Sequence, residues 1–163
     1  MDGILAIDPG TLESGWVVYD GAAVTAAGVM PNAEMLTYLQ RAHFRVNGHL
    51  LALEMVASYG MAVGRDVFET VRWTGRFQQA WHDPEAAHLV YRKDVKLHLC
   101  GSPLAKDPNI RQALLDLFPA TGGGKTPQIG TKGQPGPLYG VSRHAWAALA
   151  VAVTTHDRIT GRH

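Results

Sequence analysis

The sequence predicts an α/β fold, a five-stranded mixed sheet flanked by helices, formed as one domain over residues 1–163. Three observations lead there. Three strand-like runs follow one another in the first 30 residues, in the manner of an antiparallel meander. After them, helix-like and strand-like segments alternate, which is the pattern of an α/β sheet. Two apolar runs, Ile4–Ile7 and Leu50–Leu53, each end on an acid, Asp8 and Glu54. A chain of this length normally forms one domain with room for a sheet and its covering helices.

The elements follow in order. Residues 3–8 read as strand one, and Pro9-Gly10 then force a turn. Residues 15–19 read as strand two, closed by a tight turn at Asp20-Gly21, and 22–30 as strand three. Pro31 to about His43 reads as a helix with proline at its start. Residues 50–54 form strand four, reached by a crossover and therefore parallel to strand one. Asp66 to about His82 is a longer helix, and 87–91 is strand five. Two further helices span Lys93–Cys100 and Pro108–Phe118, the second capped by Asp107. Residues 119–140 are rich in Gly, Pro, Lys and Thr and read as a flexible loop. Residues 142–156 form a last helix of small residues, capped by Ser142 and able to lie close on a sheet.

Two strands that both end in an acid bring two carboxylates to one sheet edge. A carboxylate pair repels itself unless a proton or a cation intervenes, and hard oxygen donors favour Mg²⁺ or Mn²⁺. His144, in the first turn of the last helix, is that helix's one strongly ligating side chain near its start. Cys100 is the single cysteine, so no intramolecular disulfide forms. The run Gly122-Gly123-Gly124-Lys125-Thr126 is not a phosphate-binding loop, since Pro119 stands where the motif needs glycine. A formal net charge of +1 means that any nucleic-acid footprint must come from clustering of basic residues. The longest apolar run is about nine residues, against roughly 20 needed to span a bilayer; no basic n-region with a long apolar h-region is found at the start, so a secretory signal is not expected. A soluble, cytoplasmic protein with no membrane partner is expected.

Ile7-Asp8-Pro9-Gly10, Leu53-Glu54, Val95-Lys96, Cys100-Gly101, Ala105-Lys106 and the terminal His144-Ala145-Trp146-Ala147-Ala148-Leu149-Ala150 run together resemble the RuvC-like Holliday junction resolvases. The motifs occur in the family's order and cover nearly the whole chain. The resemblance implies an RNase H-like sheet of order 3-2-1-4-5, a homodimer, and divalent-metal-dependent nicking of branched DNA. It makes Asp8, Glu54 and His144 metal ligands (Mg²⁺ or Mn²⁺) and catalytic residues, with Lys106 as a further catalytic lysine near the scissile phosphate. The family's fourth ligand would fall on Ala147, which carries no carboxylate. That departure fits either a phage-type branch of the family or an engineered inactivation.

The resemblance also assigns DNA contacts to Lys96 and Lys106, and base stacking to Tyr59. Arg111, Lys125, Lys132 and Arg143 are candidate phosphate contacts, which fix register without reading sequence. Arg65, Arg72 and Arg76 share one helix face and read as a phosphate track or a solvated face. Trp73, Phe77 and Trp81, at four-residue steps, form an apolar stripe taken as the dimer interface because the family pairs in this region. Two other functions fit parts of the sequence. Asp8-Pro9-Gly10-Thr11 also resembles the first phosphate loop of actin-like ATPases and sugar kinases, which need a far longer chain. A junction-binding protein without turnover fits Ala147.

Overall fold

The structure, a computed structural model, describes residues 3–162. Strand β1 (Ile4–Asp8) leads through β2 (Glu13–Tyr19) and β3 (Val24–Pro31) to helices α1 (Asn32–Leu39) and α2 (Ala42–Val46). Next come β4 (Leu50–Met55), α3 (Arg65–Ala80), a short 3₁₀ turn at Pro84–Ala86, and β5 (His88–Tyr91). Helices α4 (Arg92–Cys100), α5 (Asp107–Leu117) and α6 (Ala145–Thr160) complete the fold. The sheet order is β3-β2-β1-β4-β5, with β1 antiparallel to β2 and parallel to β4. The fold class and strand order are those expected from the sequence.

Alternation along the central strands divides the core between two faces. Ile4 and Ala6 of β1, with Ala52 and Val90, meet the apolar faces of α4, α5 and α6. Leu5 and Ile7, with Leu51 and Leu53, meet α1 and α3 on the other side, together with Phe44. Covering both faces is why β1 and β4 read as continuous apolar runs. The small-residue helix α6 lies close on the sheet through Ala145, Ala148 and Ala152, all fully buried. Gly15 on β2 makes this approach feasible at the helix start, since a Cβ there would collide with the His144 carbonyl.

Several local expectations change. The helix expected from Pro31 to His43 is broken at Gln40-Arg41, where Arg41 turns extended so that Phe44 can pack against Tyr38 and Trp81. Asp20 accepts hydrogen bonds from the Ala22 and Ala23 amides (2.8 and 2.7 Å), delaying β3 to Val24. Helix α5 begins at Asp107 itself, with Lys106 as its N-cap residue. Helix α6 begins at Ala145 rather than Ser142, because Ser142–His144 form a turn with Arg143 at φ +50. Residues 119–140, expected as a flexible loop, fold on themselves. Gly123 donates to the Gln134 carbonyl (2.9 Å) and Gly136 to that of Ile129 (2.9 Å), while Leu138 anchors the loop in the core. A Cβ at Gly136 would strike the Pro127 carbonyl.

The aromatic stripe of α3 is core, not interface. Phe77 is fully buried and Trp81 nearly so, against Leu5, Ile7 and Leu53 below the sheet. Trp73 is partly buried on the same cluster, and the Arg76 guanidinium lies 4.0 Å from its ring centroid. A side chain already consumed by its own core offers no area to a partner. What α3 turns outward is Phe68, 65% exposed. Phe77→Ala is therefore expected to cost roughly 3–5 kcal/mol of stability by cavity formation. Urea unfolding measures it; a loss below about 1 kcal/mol would contradict this packing.

Candidate active site

The site begins with strand pairing. Ile7 pairs with Leu53 across β1 and β4, so the next residues outward, Asp8 and Glu54, are neighbours. Asp8 alternates with Ala6, and Glu54 with Ala52, and both alanines face α6. Both carboxylates therefore emerge on the face that the start of α6 covers. The turn after Asp8 is locked by a buried network. Ser14 Oγ donates to the Asn32 side-chain Oδ1 (2.6 Å), the Gly10 amide donates to Ser14 Oγ (3.2 Å), and Asn32 Nδ2 donates to the Gly10 carbonyl (2.9 Å).

Gly15 lies opposite Asp8 on β2 and admits the His144 backbone, bringing His144 Nδ1 within 3.5 Å of Asp8 Oδ2. Asp8 and Glu54 are mostly buried, with side chains 19% and 12% exposed. Burial pushes the Asp8 carboxyl up to about 9, and the charge of Glu54 and a hydrogen bond with it push the same way; Arg92 opposes them. Two carboxylates at one apolar edge thus hold a proton between them at neutral pH.

Sequence reasoning missed Arg92 and the role of Asp107. Arg92 Nη1 lies 3.3 Å from Glu54 Oε1, and Nη2 is hydrogen-bonded to Asp107 Oδ1. Burial works against the guanidinium charge, but Glu54 and Asp107 outweigh it, and the Arg92 pKa is raised. Arg92 was legible in principle. It follows β5, which is parallel to β4 and adjacent to it, so it stands at the carboxyl end of the sheet where α/β folds bind ligands. Asp107 carried only the signal of a helix cap, which any acid before a proline shows.

These groups line a cleft of about 590 Å³ that includes Asp8, Glu54, Arg92, Asp107, His144 and Ala147. Arg111, Arg143 and Trp146 border it, with the Arg111 guanidinium 5.0 Å from the Trp146 ring centroid. Arg143 pairs with Glu13 at 2.7 Å. A second cleft of about 520 Å³ holds Tyr59, Lys93, Lys96 and Pro103, and shares Glu54 and Arg92 with the first. Tyr59 is 61% exposed, at φ +48, with Lys93 Nζ 5.9 Å from its ring centroid.

The structure therefore brings Asp8, Glu54, His144, Arg111 and Arg143 to one cleft, and Tyr59 and Lys96 to the next. Lys106, Lys125 and Lys132 line neither and are exposed. Lys106 is the N-cap residue of α5, and the following Asp107 accepts a hydrogen bond from Arg92. Arg65, Arg72 and Arg76 are on α3 and line neither cleft; Arg72 pairs with Glu69 at 3.9 Å.

The donor chemistry of Asp8, Glu54 and His144 fits a hard divalent cation. Even so, among the described residues no three His, Cys, Asp or Glu side chains stand close enough together to hold a metal. Arg92 joins Glu54 to Asp107, and α6 contributes no carboxylate at Ala147. Among the described residues, no helix is long and apolar enough to cross a membrane.

No protein-family model and no curated protein sequence matches the chain. Solved structures do. Thermus thermophilus RuvC superimposes with a TM-score of 0.66 at 18% identity, over 98% of this chain and 97% of that one. The chain has a RuvC-like fold. A second structure, T. thermophilus RuvC in complex with a Holliday junction substrate, gives a TM-score of 0.69 at 16% identity, over 99% and 98% of the two chains. Thus the RuvC-like architecture spans essentially the whole chain, although the sequences have diverged widely.

The raised Asp8 pKa has a thermodynamic consequence. Between the ordinary value of 3.8 and about 9, the folded protein keeps a proton that the unfolded chain releases. Folding stability contributed by this site then falls as pH rises through that window. In EDTA, the melting temperature of Asp8→Asn minus that of the wild type is expected to grow from pH 5 to pH 9 and level off above. Parallel melting curves across that range would refute the shared-proton description.

Proposed function

We propose that this protein is a divalent-metal-dependent endonuclease that nicks four-way or related branched DNA as a homodimer. The observation that carries the reading is the buried pair Asp8 and Glu54 at adjacent parallel strand ends, beside His144, in a fold shared with a RuvC structure solved on a Holliday junction. Asp8 and Glu54 would hold Mg²⁺ or Mn²⁺, with His144 beside them. Bound ions supply charge neutralisation at the phosphate and favour deprotonation of the attacking water.

The chain's own residues do the rest. His144 Nδ1, next to Asp8, serves as a proton acceptor for the attacking water. Arg111 and Arg143 face the same cleft and neutralise backbone phosphates, which orients the strand over the carboxylates. Lys93 and Lys96 extend the positive track into the second cleft, where the exposed Tyr59 ring offers a stacking surface to an unpaired base. A four-way junction has two equivalent strands, which suits a two-fold dimer with one site per subunit. With Phe77 and Trp81 consumed by the core, the exposed Phe68 on α3 and Met61 before it are apolar side chains available for that contact. Ala147 favours a second reading, a junction-binding protein without turnover.

Cleavage of a synthetic four-way junction decides between them. With Mg²⁺ or Mn²⁺ the wild type should nick it, and Asp8→Asn should lower the rate by about 10³-fold or more while leaving junction affinity within a few-fold. Binding without cleavage by the wild type selects the second reading. Normal cleavage by Asp8→Asn would remove the assigned site. Affinity should also fall steeply between 50 and 200 mM salt, roughly tenfold or more, as phosphate counterions are released.

A further inference from the structure

The three arginines of the cleft are not equivalent. Arg92 is bonded to Glu54 and Asp107, and Arg143 is paired with Glu13. Arg111, on α5, makes no ion pair among the described residues. Its natural partner is Asp107, four positions earlier, since acid and base at that spacing meet on a helix face. Arg92 has taken that carboxylate. Asp116, the other acid of α5, accepts a hydrogen bond from Gln112 (2.8 Å). Arg111 is held instead over an aromatic ring, its guanidinium 5.0 Å from the Trp146 centroid, where α5 faces α6. We propose that Arg111 is the phosphate anchor of this cleft and that Trp146 is the residue that positions it. The proposal rests on the DNA-binding reading above, in either of its forms, and needs neither a metal nor turnover.

Three observations support it. Asp8, Glu54 and Asp107 line the cleft, and carboxylates repel a phosphodiester unless a nearby cation is left uncompensated. Arg92 and Arg143 already serve carboxylates, which leaves Arg111 to supply that charge. The manner in which Arg111 is held points the same way. A guanidinium over an aromatic ring keeps its N–H donors for a phosphate, whereas one in an ion pair has spent them on a carboxylate. Finally, Trp146 is itself fixed. It lies in the first turn of α6, next to Ala147, and packs against the core cluster that contains Ala148 and Leu149. A ring anchored in this way orders the long Arg111 side chain before a strand arrives and lowers the entropy lost on binding. The anchored strand then passes the acid pair toward Lys93 and Lys96, because the two clefts share Glu54 and Arg92.

Fluorescence anisotropy of a labelled synthetic four-way junction, in EDTA and over a range of salt, tests this on the full chain. Arg111→Ala should weaken binding about tenfold, the scale of a charge-assisted contact. It should also lower the slope of log affinity against log salt by about one, as the loss of one phosphate contact does. Arg143→Ala should cost less. Trp146→Leu and Trp146→Gln, two variants without an aromatic ring, should each weaken binding about threefold or more, while Trp146→Phe stays within about twofold of the wild type. In the Arg111→Ala background, loss of the ring should cost nothing further, because a positioning residue acts only through the group it positions. A merely structural Trp146 would lower affinity in both backgrounds alike. Thermal melting should show Arg111→Ala folded like the wild type, as expected at an exposed helix position. Wild-type affinity and salt slope in Arg111→Ala overturn the anchor, and so does a larger loss in Arg143→Ala; junction binding by the wild type then leaves the DNA reading intact. Additive losses, or unchanged affinity in both ringless variants, overturn the positioning role of Trp146. No junction binding by the wild type overturns the DNA reading itself.

Discussion

The structure depends on one pairing, the parallel alignment of β1 with β4. It sets Asp8 against Glu54 and orients both toward α6. The cost is electrostatic. Two carboxylates at the rim of an apolar core cannot both stay ionised without compensation, and the Asp8 carboxyl responds by holding its proton to about 9. A shift of this kind in a cleft makes Asp8 a candidate functional residue. Much of the surrounding architecture can be understood as a frame for that pair: the Ser14–Asn32–Gly10 network fixes the turn, and Gly15 lets α6 close over it.

Compensation comes from Arg92, which stands at the end of the neighbouring parallel strand and reaches Glu54 and Asp107 together. An arginine fork suits this role because its donors are fixed in one plane and its charge is not lost on burial. It also ties two otherwise separate surfaces. Arg92 and Glu54 are common to both clefts, so the acidic floor and the basic, aromatic groove beside it form one continuous path.

The expectation that failed most plainly concerns α3. A stripe of Trp73, Phe77 and Trp81 at four-residue steps says that one helix face is apolar, and periodicity is silent on whether that face meets its own sheet or a second chain. Burial decided it: β1 and β4 present Leu5, Ile7 and Leu53 to α3, and the stripe fills that surface. The start of α5 was also one residue off: Lys106 is its N-cap residue and Asp107 its first helical residue, and helix boundaries are the least legible feature of a sequence.

By itself the sequence determined the fold class and set the two acids at strand ends, through local signals: apolar runs of strand length, acids at their ends, and a crossover that makes the fourth strand parallel to the first. The strand order was implied by the resemblance of the motifs to the RuvC-like family, and the sheet has that order. His144 was legible too, as a ligating side chain at the start of a small-residue helix built to lie close on a sheet. Only the tertiary structure decided that Arg92 and Asp107 belong to the same cleft, that the 119–140 loop folds on itself, and that Phe77 and Trp81 are core. Those features depend on contacts between residues far apart in the chain. The Arg92 bridge joins Glu54, 38 positions before it, to Asp107, 15 positions after, and no local periodicity encodes such a meeting.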